Sequence, residues 1–266
     1  MRRFLALSLA GTLAFAQTPD YSRDEFPKLP GLLWDDAKGV AASPKDWTAS
    51  DWKQVGLGAA AVLGVALALD KTIDDAALRN GSPSRDRVAR GIAQLGGNGG
   101  LILMGAGYFG FSLLDMDEPR SIVVEMGIAT VLAQTAILPL KLGVGRARPV
   151  DGLGASHFTS FSSRDSFPSG HATQAFAMAS VISMRSTEPW VGICAYGAAS
   201  LVAVSRLETR AHFASDVLAG ALVGTLVGRT VVSIDRGVRS RVGKAEIKIS
   251  PALAPDFKGV TISAKF

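Results

Sequence analysis

Six apolar segments, separated by polar stretches, organise most of the chain. They are rich in alanine, leucine, valine and glycine and contain few runs of β-branched residues, which favours helix over strand. We therefore predict an all-α fold, a six-helix bundle whose helical domain covers residues 55–240. The six segments are residues 55–69, 99–114, 121–140, 172–184, 189–204 and 217–234.

The two ends of this domain follow different patterns. Residues 17–54 contain prolines and aspartates, and we predict an irregular lead-in there. In the tail, residues 241–266, apolar and polar positions alternate around Ile247 and again from Val260, with prolines between the two runs. The tail is therefore predicted to form a short C-terminal β-hairpin.

Residues 1–16 have the pattern of a secretory signal peptide. Arg2 and Arg3 precede an apolar run that ends in Ala-Phe-Ala at Ala16. We expect export to the cell envelope, either the inner membrane or the periplasm, with an uncleaved anchor as the alternative.

The apolar segments fit two arrangements, a membrane-spanning bundle and a soluble bundle that rests on a membrane. Several segments run only about 13–16 residues without a charge, short of the ~20 that a bilayer core requires. Conversely, Gly220, Gly224 and Gly228 lie on one face of the last segment and permit the close helix approach that is frequent in membranes.

The net charge and the cysteine count limit which partners and metal sites we expect. The net charge of +5 suits an anionic substrate or an anionic membrane face. No basic stripe is interleaved with aromatic residues, so we expect no nucleic-acid partner. The single cysteine, Cys194, excludes an internal disulfide and a thiolate metal cluster.

The first of three polar clusters follows the third apolar segment. It runs from Lys141 to Pro149 and includes Arg146 and Arg148. Pro149 disfavours helical geometry at Arg148, so the segment can direct Lys141 and Arg148 to one point. Guanidinium groups match phosphate oxygens in geometry, while lysine acts as a point charge. The positive flank of a membrane helix is the alternative.

The second cluster is Ser-Phe-Pro-Ser-Gly-His, residues 166–171. Pro168 suits the first turn of a helix that Ser166 or Asp165 would cap. The N–H groups of Ser169 and Gly170 would then face an anion at the positive helix end. His171 lies at the same place and could donate a proton, although a lone capping histidine is the alternative.

The third cluster runs from Ser205 to Asp216. On a helix, His212 and Asp216 would share a face and form a hydrogen bond. A carboxylate on one imidazole nitrogen leaves the other nucleophilic, whereas the alternative is a surface ion pair. Arg206 supplies another guanidinium. Two further cations, Arg146 and Arg210, lie nearby. Contact with the headgroup of a substrate and simple exposure to solvent are equally consistent with the sequence for both.

Taken in order, the motifs Lys-x6-Arg-Pro, Pro-Ser-Gly-His and Ser-Arg-x5-His-x3-Asp resemble those of the type 2 phosphatidic acid phosphatase superfamily. This superfamily also includes bacterial class A acid phosphatases and vanadium haloperoxidases. All defining positions are intact, and the resemblance covers roughly residues 99–234. It implies six helices whose loops meet at one phosphate pocket.

The resemblance also implies a role for each motif residue. His212 would be the nucleophile on phosphorus, Asp216 would orient it, and His171 would be the general acid. The phosphoryl oxygens would be bound by Lys141, Arg148, Ser169, Gly170 and Arg206. Such cations and helix-end amides stabilise developing charge, so we expect no metal ion and no other cofactor.

We therefore expect a metal-independent phosphomonoesterase that forms a phosphohistidine intermediate. The apolar helices favour lipid phosphates and a membrane partner; candidates are phosphatidic acid, phosphatidylglycerol phosphate, undecaprenyl pyrophosphate and lipid A phosphate. The alternative is a periplasmic non-specific acid phosphatase that acts on soluble esters. More distant alternatives are a vanadate-dependent haloperoxidase and a non-enzymatic binding protein. The oligomeric state does not follow from the sequence.

Overall fold

The computed structural model describes residues 29–242, 246–254 and 257–265. The chain divides into two compact units, Met1–Val232 and Ser233–Phe266. The predicted signal peptide, residues 1–16, lies outside the described residues, as does most of the predicted lead-in before residue 29.

The described part of the first unit is built from α-helices, which confirms the predicted all-α fold. Six helices cover the six apolar segments, and three more precede or separate them. The helices are α1 (Leu29–Ala42), α2 (Ala49–Ala68), α3 (Asp70–Asn80), α4 (Pro83–Ala93), α5 (Asn98–Leu113), α6 (Asp117–Val144), α7 (Gly170–Arg185), α8 (Pro189–Glu208) and α9 (Ala214–Val242).

Helix α1 contradicts the irregular lead-in predicted for residues 17–54. Its apolar side chains, among them Leu29, Leu33 and Val40, recur at helical spacing and pack against the main core. The prediction was therefore wrong for this segment, because tertiary packing stabilises a short helix that the prolines and aspartates around it obscure.

Helices α3 and α4 were missed because they are short and rich in charged residues. Ser82 caps α4, since its hydroxyl oxygen accepts from the backbone N–H of Arg85. The Arg85 side chain also forms an ion pair with Glu208 on α8 at 2.6 Å. Charged contacts of this kind help to connect the two short helices to the bundle, and on α4 the apolar side chains Ala89, Ile92 and Ala93 also pack inward.

The main core is formed by α5, α6, α7 and α9, whose buried side chains make one apolar cluster around Met104, Leu132, Val181 and Val231. A fully buried ion pair also joins α6 to α7. The Arg185 guanidinium donates to both carboxylate oxygens of Glu125, at 2.7 and 2.6 Å.

Three glycines of α9 bring this helix into backbone contact with α7. A Cβ atom on Gly224 would lie 2.2 Å from the carbonyl oxygen of Thr173, and one on Gly220 would lie 2.5 Å from that of Ser169. A Cβ on Gly228 would lie 2.6 Å from the carbonyl oxygen of Ala177. The close helix approach predicted from this glycine stripe is confirmed, and it sets the start of α9 beside the start of α7.

Three helical stretches are long and apolar enough to cross a bilayer, judged by length and composition: α6, α8 and Ala214–Ile234 of α9. Helices α2 and α3, which meet at a 54° bend, would form a fourth span if taken together. The charge-free stretches in the sequence underestimated the lengths of these helices, because each helix continues past its apolar segment into polar residues.

In the second unit, strands β1 (Glu246–Ala254) and β2 (Phe257–Lys265) pair antiparallel, with Glu246 opposite Lys265. The predicted boundary between a helical domain ending at residue 240 and a separate tail stays a prediction.

Candidate active site

Hydrogen bonds bring the three motif segments together at one end of the helical unit. The Lys141 ammonium group at the end of α6 donates to the carbonyl oxygen of Asp165, ahead of α7, at 2.5 Å. The Ser166 hydroxyl donates to Asp216, in the first turn of α9, at 2.6 Å. The backbone N–H of Ser169 donates to the Asp216 carbonyl at 3.0 Å. Residues far apart in the sequence therefore share one site.

The imidazole of His212 is buried and held by the backbone. Its Nδ1 lies 2.7 Å from the carbonyl oxygen of Ser166. A carbonyl oxygen only accepts hydrogen bonds, so Nδ1 carries the hydrogen and the neutral ring has its lone pair on Nε2. Burial, followed by the nearby cations Arg206, Arg148 and Lys141, holds the pKa of His212 well below its usual value. The ring is therefore neutral near pH 7, with a nucleophilic Nε2.

Asp216 does not form the predicted hydrogen bond with His212. Helix α9 begins only at Ala214, so His212 lies in the preceding loop and the helical i, i+4 geometry does not apply. The Asp216 carboxylate instead accepts from the Phe213 N–H at 2.8 Å, from the Ser166 hydroxyl at 2.6 Å and from Arg146 at 2.6 Å. Its connection to the imidazole runs through Ser166.

The start of α7 also differs in detail from the prediction. Ser169, rather than Ser166 or Asp165, is the N-cap residue, and Gly170 is the first helical residue. The N–H of Ser169 is not free for an anion because it donates to Asp216. The N–H groups of Gly170 and His171 have no acceptor in the described part of the chain, so the helix end retains two donors for an anion.

His171 lies against a glycine that precedes α5. A Cβ atom on Gly97 would lie only 2.7 Å from Nε2 of His171, so a side chain at position 97 would collide with the ring. Burial, then Arg206, Arg148 and Lys141, lowers the pKa of His171 to about 4. The free ring is therefore neutral near pH 7, and an anion bound beside it would raise its pKa.

The same three cations, Lys141, Arg148 and Arg206, act electrostatically on both His171 and His212. Lys141 and Arg148 also both contact Asp165, next to the Ser166 carbonyl that holds His212. These three cations form a cationic cradle near the two imidazoles, and they come from the end of α6, the loop after it and the end of α8. This convergence is the arrangement that binding and transfer of a phosphoryl group require.

Within the cradle, the cations differ in their pairing. Arg148 donates from Nε and Nη2 to the carboxylate of Asp165, at 2.8–3.1 Å. The Nε of Arg206 is buried without a hydrogen-bond partner among the described residues. Because a buried unpaired donor is costly, this N–H is available to an anionic oxygen. Asp165, considered in the sequence only as a cap, is a counter-ion of the cradle.

Arg146 is neither solvated nor directed at a headgroup, contrary to both sequence interpretations. It is 3% exposed and donates to Asp70 at 2.7 Å, to Ser215 at 2.7 Å and to Asp216 at 2.6 Å. Its guanidinium also stacks over Phe213, 4.3 Å from the ring centroid. It is the centre of a buried network beneath the site.

Arg210 likewise has a structural partner. It donates to the Asp74 carboxylate at 2.6 and 3.0 Å and to the carbonyl oxygen of Pro149 at 3.0 Å. The bond to Asp74 raises the pKa of the Arg210 guanidinium above its usual value. Arg210 thus joins α3 to the loop that carries Arg148, and neither sequence interpretation anticipated this ion pair.

Three contributors were missed in the sequence: Asp70, Gly97 and the backbone carbonyl of Ser166. The glycine run of residues 96–100 signals close backbone contact and could have drawn attention to Gly97. Asp70 lies among other charged residues of α3, and no local pattern distinguishes it.

The chain is similar to several known proteins. Residues 122–239 match the PAP2 superfamily. A segment of 90 residues is 42% identical to the lipid A 1-phosphatase of Porphyromonas gingivalis; it covers 33% of this chain and 18% of that protein. The chain therefore spans less than a fifth of this curated relative.

Two solved structures are similar. The crystal structure of Aquifex aeolicus LpxE aligns with a TM-score of 0.50 and 22% identity, over 62% of this chain and 96% of that one. The PAP2-type phosphatidylglycerolphosphate phosphatase from Bacillus subtilis aligns with a TM-score of 0.46 and 26% identity, over 79% and 97%. The segment of residues 122–239 thus matches the PAP2 superfamily, the family that the sequence resemblance predicted.

Proposed function

We propose that this protein is a lipid phosphate phosphatase that transfers the phosphoryl group to His212. The observation that carries the proposal is the convergence of the three motif segments, in which Lys141 and Arg148 both contact Asp165 beside the Ser166 carbonyl that holds His212. The similarity to a lipid A 1-phosphatase and the match to the PAP2 superfamily support the same reaction class.

In the first step, Nε2 of His212 attacks phosphorus and the bond from phosphorus to the leaving oxygen breaks. The hydrogen bond from Nδ1 to Ser166 directs the ring and stabilises the positive charge that develops on it. Lys141, Arg148, Arg206 and the helix-end amides of α7 bind the phosphoryl oxygens, where negative charge accumulates.

His171 supplies the proton that the leaving oxygen takes up. In the free protein its pKa of about 4 leaves it neutral near pH 7, but the dianionic phosphate monoester raises that pKa and lets the ring become charged. In the second step, neutral His171 accepts a proton from water as the water attacks phosphorus and the bond from phosphorus to Nε2 breaks. Phosphate and free His212 result.

A lipid substrate is supported by the apolar helices. Three helical stretches, or four with the bent pair, are long and apolar enough to span a bilayer. A site at the end of such a bundle would admit a phosphorylated headgroup while the acyl chains stay in lipid. We propose a cell-envelope location on the same grounds, and export by residues 1–16 stays a prediction.

The test is phosphate release by the purified full-length protein in detergent micelles and vesicles, from phosphatidic acid, phosphatidylglycerol phosphate, undecaprenyl pyrophosphate and lipid A phosphate. A soluble aryl phosphate provides the comparison. We expect a strong preference for at least one lipid; equal turnover of lipid and soluble esters would contradict the lipid assignment.

Radiolabelled substrate would test the phosphohistidine mechanism separately from the phosphatase activity. With [32P]substrate and an acid-free quench, we expect a base-stable, acid-labile phosphoprotein that is absent from His212→Ala. The third histidine offers a matched control, and His157→Ala should keep both activity and labelling. Turnover by His212→Ala at the wild-type rate would refute the phosphohistidine step.

A further inference from the structure

Asp70, the first residue of α3, is a buried carboxylate beneath the site. It is 1% exposed, and its side chain has three hydrogen-bond contacts. Oδ1 accepts from the backbone N–H of Ser215 at 2.8 Å. Oδ2 accepts from the Ser215 hydroxyl at 2.6 Å and from Arg146 at 2.7 Å.

These contacts continue without a gap to the nucleophilic imidazole. Arg146 and Ser215 connect Asp70 to Asp216. The Asp216 carboxylate accepts hydrogen bonds from the Phe213 N–H and the Ser166 hydroxyl. The Ser166 carbonyl in turn accepts from Nδ1 of His212. Asp70 is therefore linked, through Arg146 and Asp216, both to the residue after His212 and to the carbonyl that holds its ring.

The burial of charge here also requires an explanation. Two carboxylates, those of Asp70 and Asp216, share one guanidinium, and all three groups are almost fully buried. Burying ions is costly, and apolar residues of similar volume commonly give equal stability. Moreover, Asp70 lies outside residues 122–239, so it is supplied by a helix beyond the superfamily match.

We infer that Asp70 is a positioning residue for phosphoryl transfer. By holding the N–H and hydroxyl of Ser215 and one side of Arg146, it fixes the loop that aims Nε2 of His212 at phosphorus. Asp70 touches neither the imidazole nor the cradle cations Lys141, Arg148 and Arg206, so its contribution is geometric. This inference rests on the proposed phosphatase activity.

The same helix contains a matched control. Asp75 also lies on α3 and pairs with a basic side chain, Lys71, at 2.6 Å, but this ion pair is at the surface and does not lead to His212. A general requirement for acidic residues on α3 would make both aspartates equally important. A positioning role predicts that they differ.

The experiment compares Asp70→Asn and Asp75→Asn with the wild type, in the full-length protein on its best lipid substrate. For Asp70→Asn we expect the rate of phosphoenzyme formation to fall about 100-fold, because misplacement by about 1 Å costs that much. The inhibition constant of inorganic phosphate should change less than about threefold, because the cradle is intact. Asp75→Asn should keep both quantities near wild type.

A second variant, Ser215→Ala, tests the same role in case Asp70→Asn does not fold. It removes one hydroxyl contact while the Asp70–Arg146 pair stays, so we expect an intermediate loss of about tenfold in rate with phosphate affinity retained. Unchanged rates in Asp70→Asn, or parallel losses of rate and phosphate affinity in Ser215→Ala, would overturn the positioning role. An inactive wild type would instead refute the proposed function itself.

Discussion

His212 donates its Nδ1 hydrogen to the backbone carbonyl of Ser166 across 2.7 Å, although 46 positions separate the two residues. The tautomer of the ring is therefore set by a group that no side-chain substitution removes. The Asp216 carboxylate reaches the ring only through the Ser166 hydroxyl, at 2.6 Å. This separates the orientation of the imidazole from the charge of the carboxylate.

Substitution of Ser166 by alanine tests that separation. The variant keeps the carbonyl that orients His212 but loses the hydroxyl bond to Asp216, so kcat should fall about tenfold, the value of one hydrogen bond to a charged group. Asp216→Ala should cost more, because it also removes a partner of Arg146. Steady-state kinetics on one lipid substrate would measure kcat for both variants. A Ser166→Ala protein as inactive as His212→Ala would contradict this separation of the imidazole from the carboxylate.

Gly97→Ala should impair His171. The new Cβ would lie 2.7 Å from the ring Nε2, so the ring must shift away from its position beside the cradle. We expect a fall in kcat of about tenfold or more, consistent with the loss of part of general acid catalysis. Gly105→Ala, on α5 with open space around its Cβ position, is the control and should keep full activity. Equal activities of the two variants would show that the contact between Gly97 and His171 has no role in catalysis.

Binding of an anion should cause proton uptake. Free His171 has a pKa of about 4, below its usual value of 6.5, so it is mostly neutral at about pH 5.5. A dianion in the cradle favours the charged ring and raises this pKa, so protons move from solvent to protein. Sulfate is a suitable probe because it brings no proton of its own at this pH.

Titration calorimetry of sulfate in buffers of different ionisation enthalpy measures the uptake directly. We expect a positive number of protons bound by the wild type and a smaller number by His171→Gln. Proton release, or equal uptake by the two proteins, would show that His171 does not titrate with the anion.

Gly224→Ala should destabilise the bundle. Its Cβ would lie 2.2 Å from the Thr173 carbonyl oxygen, and backbone atoms on both helices would have to separate. Overpacking of this kind costs about 1–3 kcal/mol or more. Gly127→Ala, on α6 with nothing near its Cβ position, should instead be neutral or slightly stabilising. Thermal unfolding in detergent compares the two; a Gly224→Ala protein as stable as wild type would contradict the close packing of α7 and α9.

The chain's local patterns were sufficient for six of the helices in the described residues and for the family resemblance. Apolar composition located six helices, and the glycine stripe of α9 indicated close helix contact, because both depend on residues a few positions apart. The lead-in prediction failed at α1, since packing against the core rather than local periodicity stabilises that helix.

The sequence by itself determined which residues are candidates for phosphoryl transfer: two histidines, three cations and a glycine at a helix start. Tertiary structure alone decided how they are held. The partner of His212 is a backbone carbonyl, and Asp70 meets Ser215 from 145 positions away. Such contacts depend on how whole helices pack, and a pattern of neighbouring residues contains no record of which distant atoms that packing brings together.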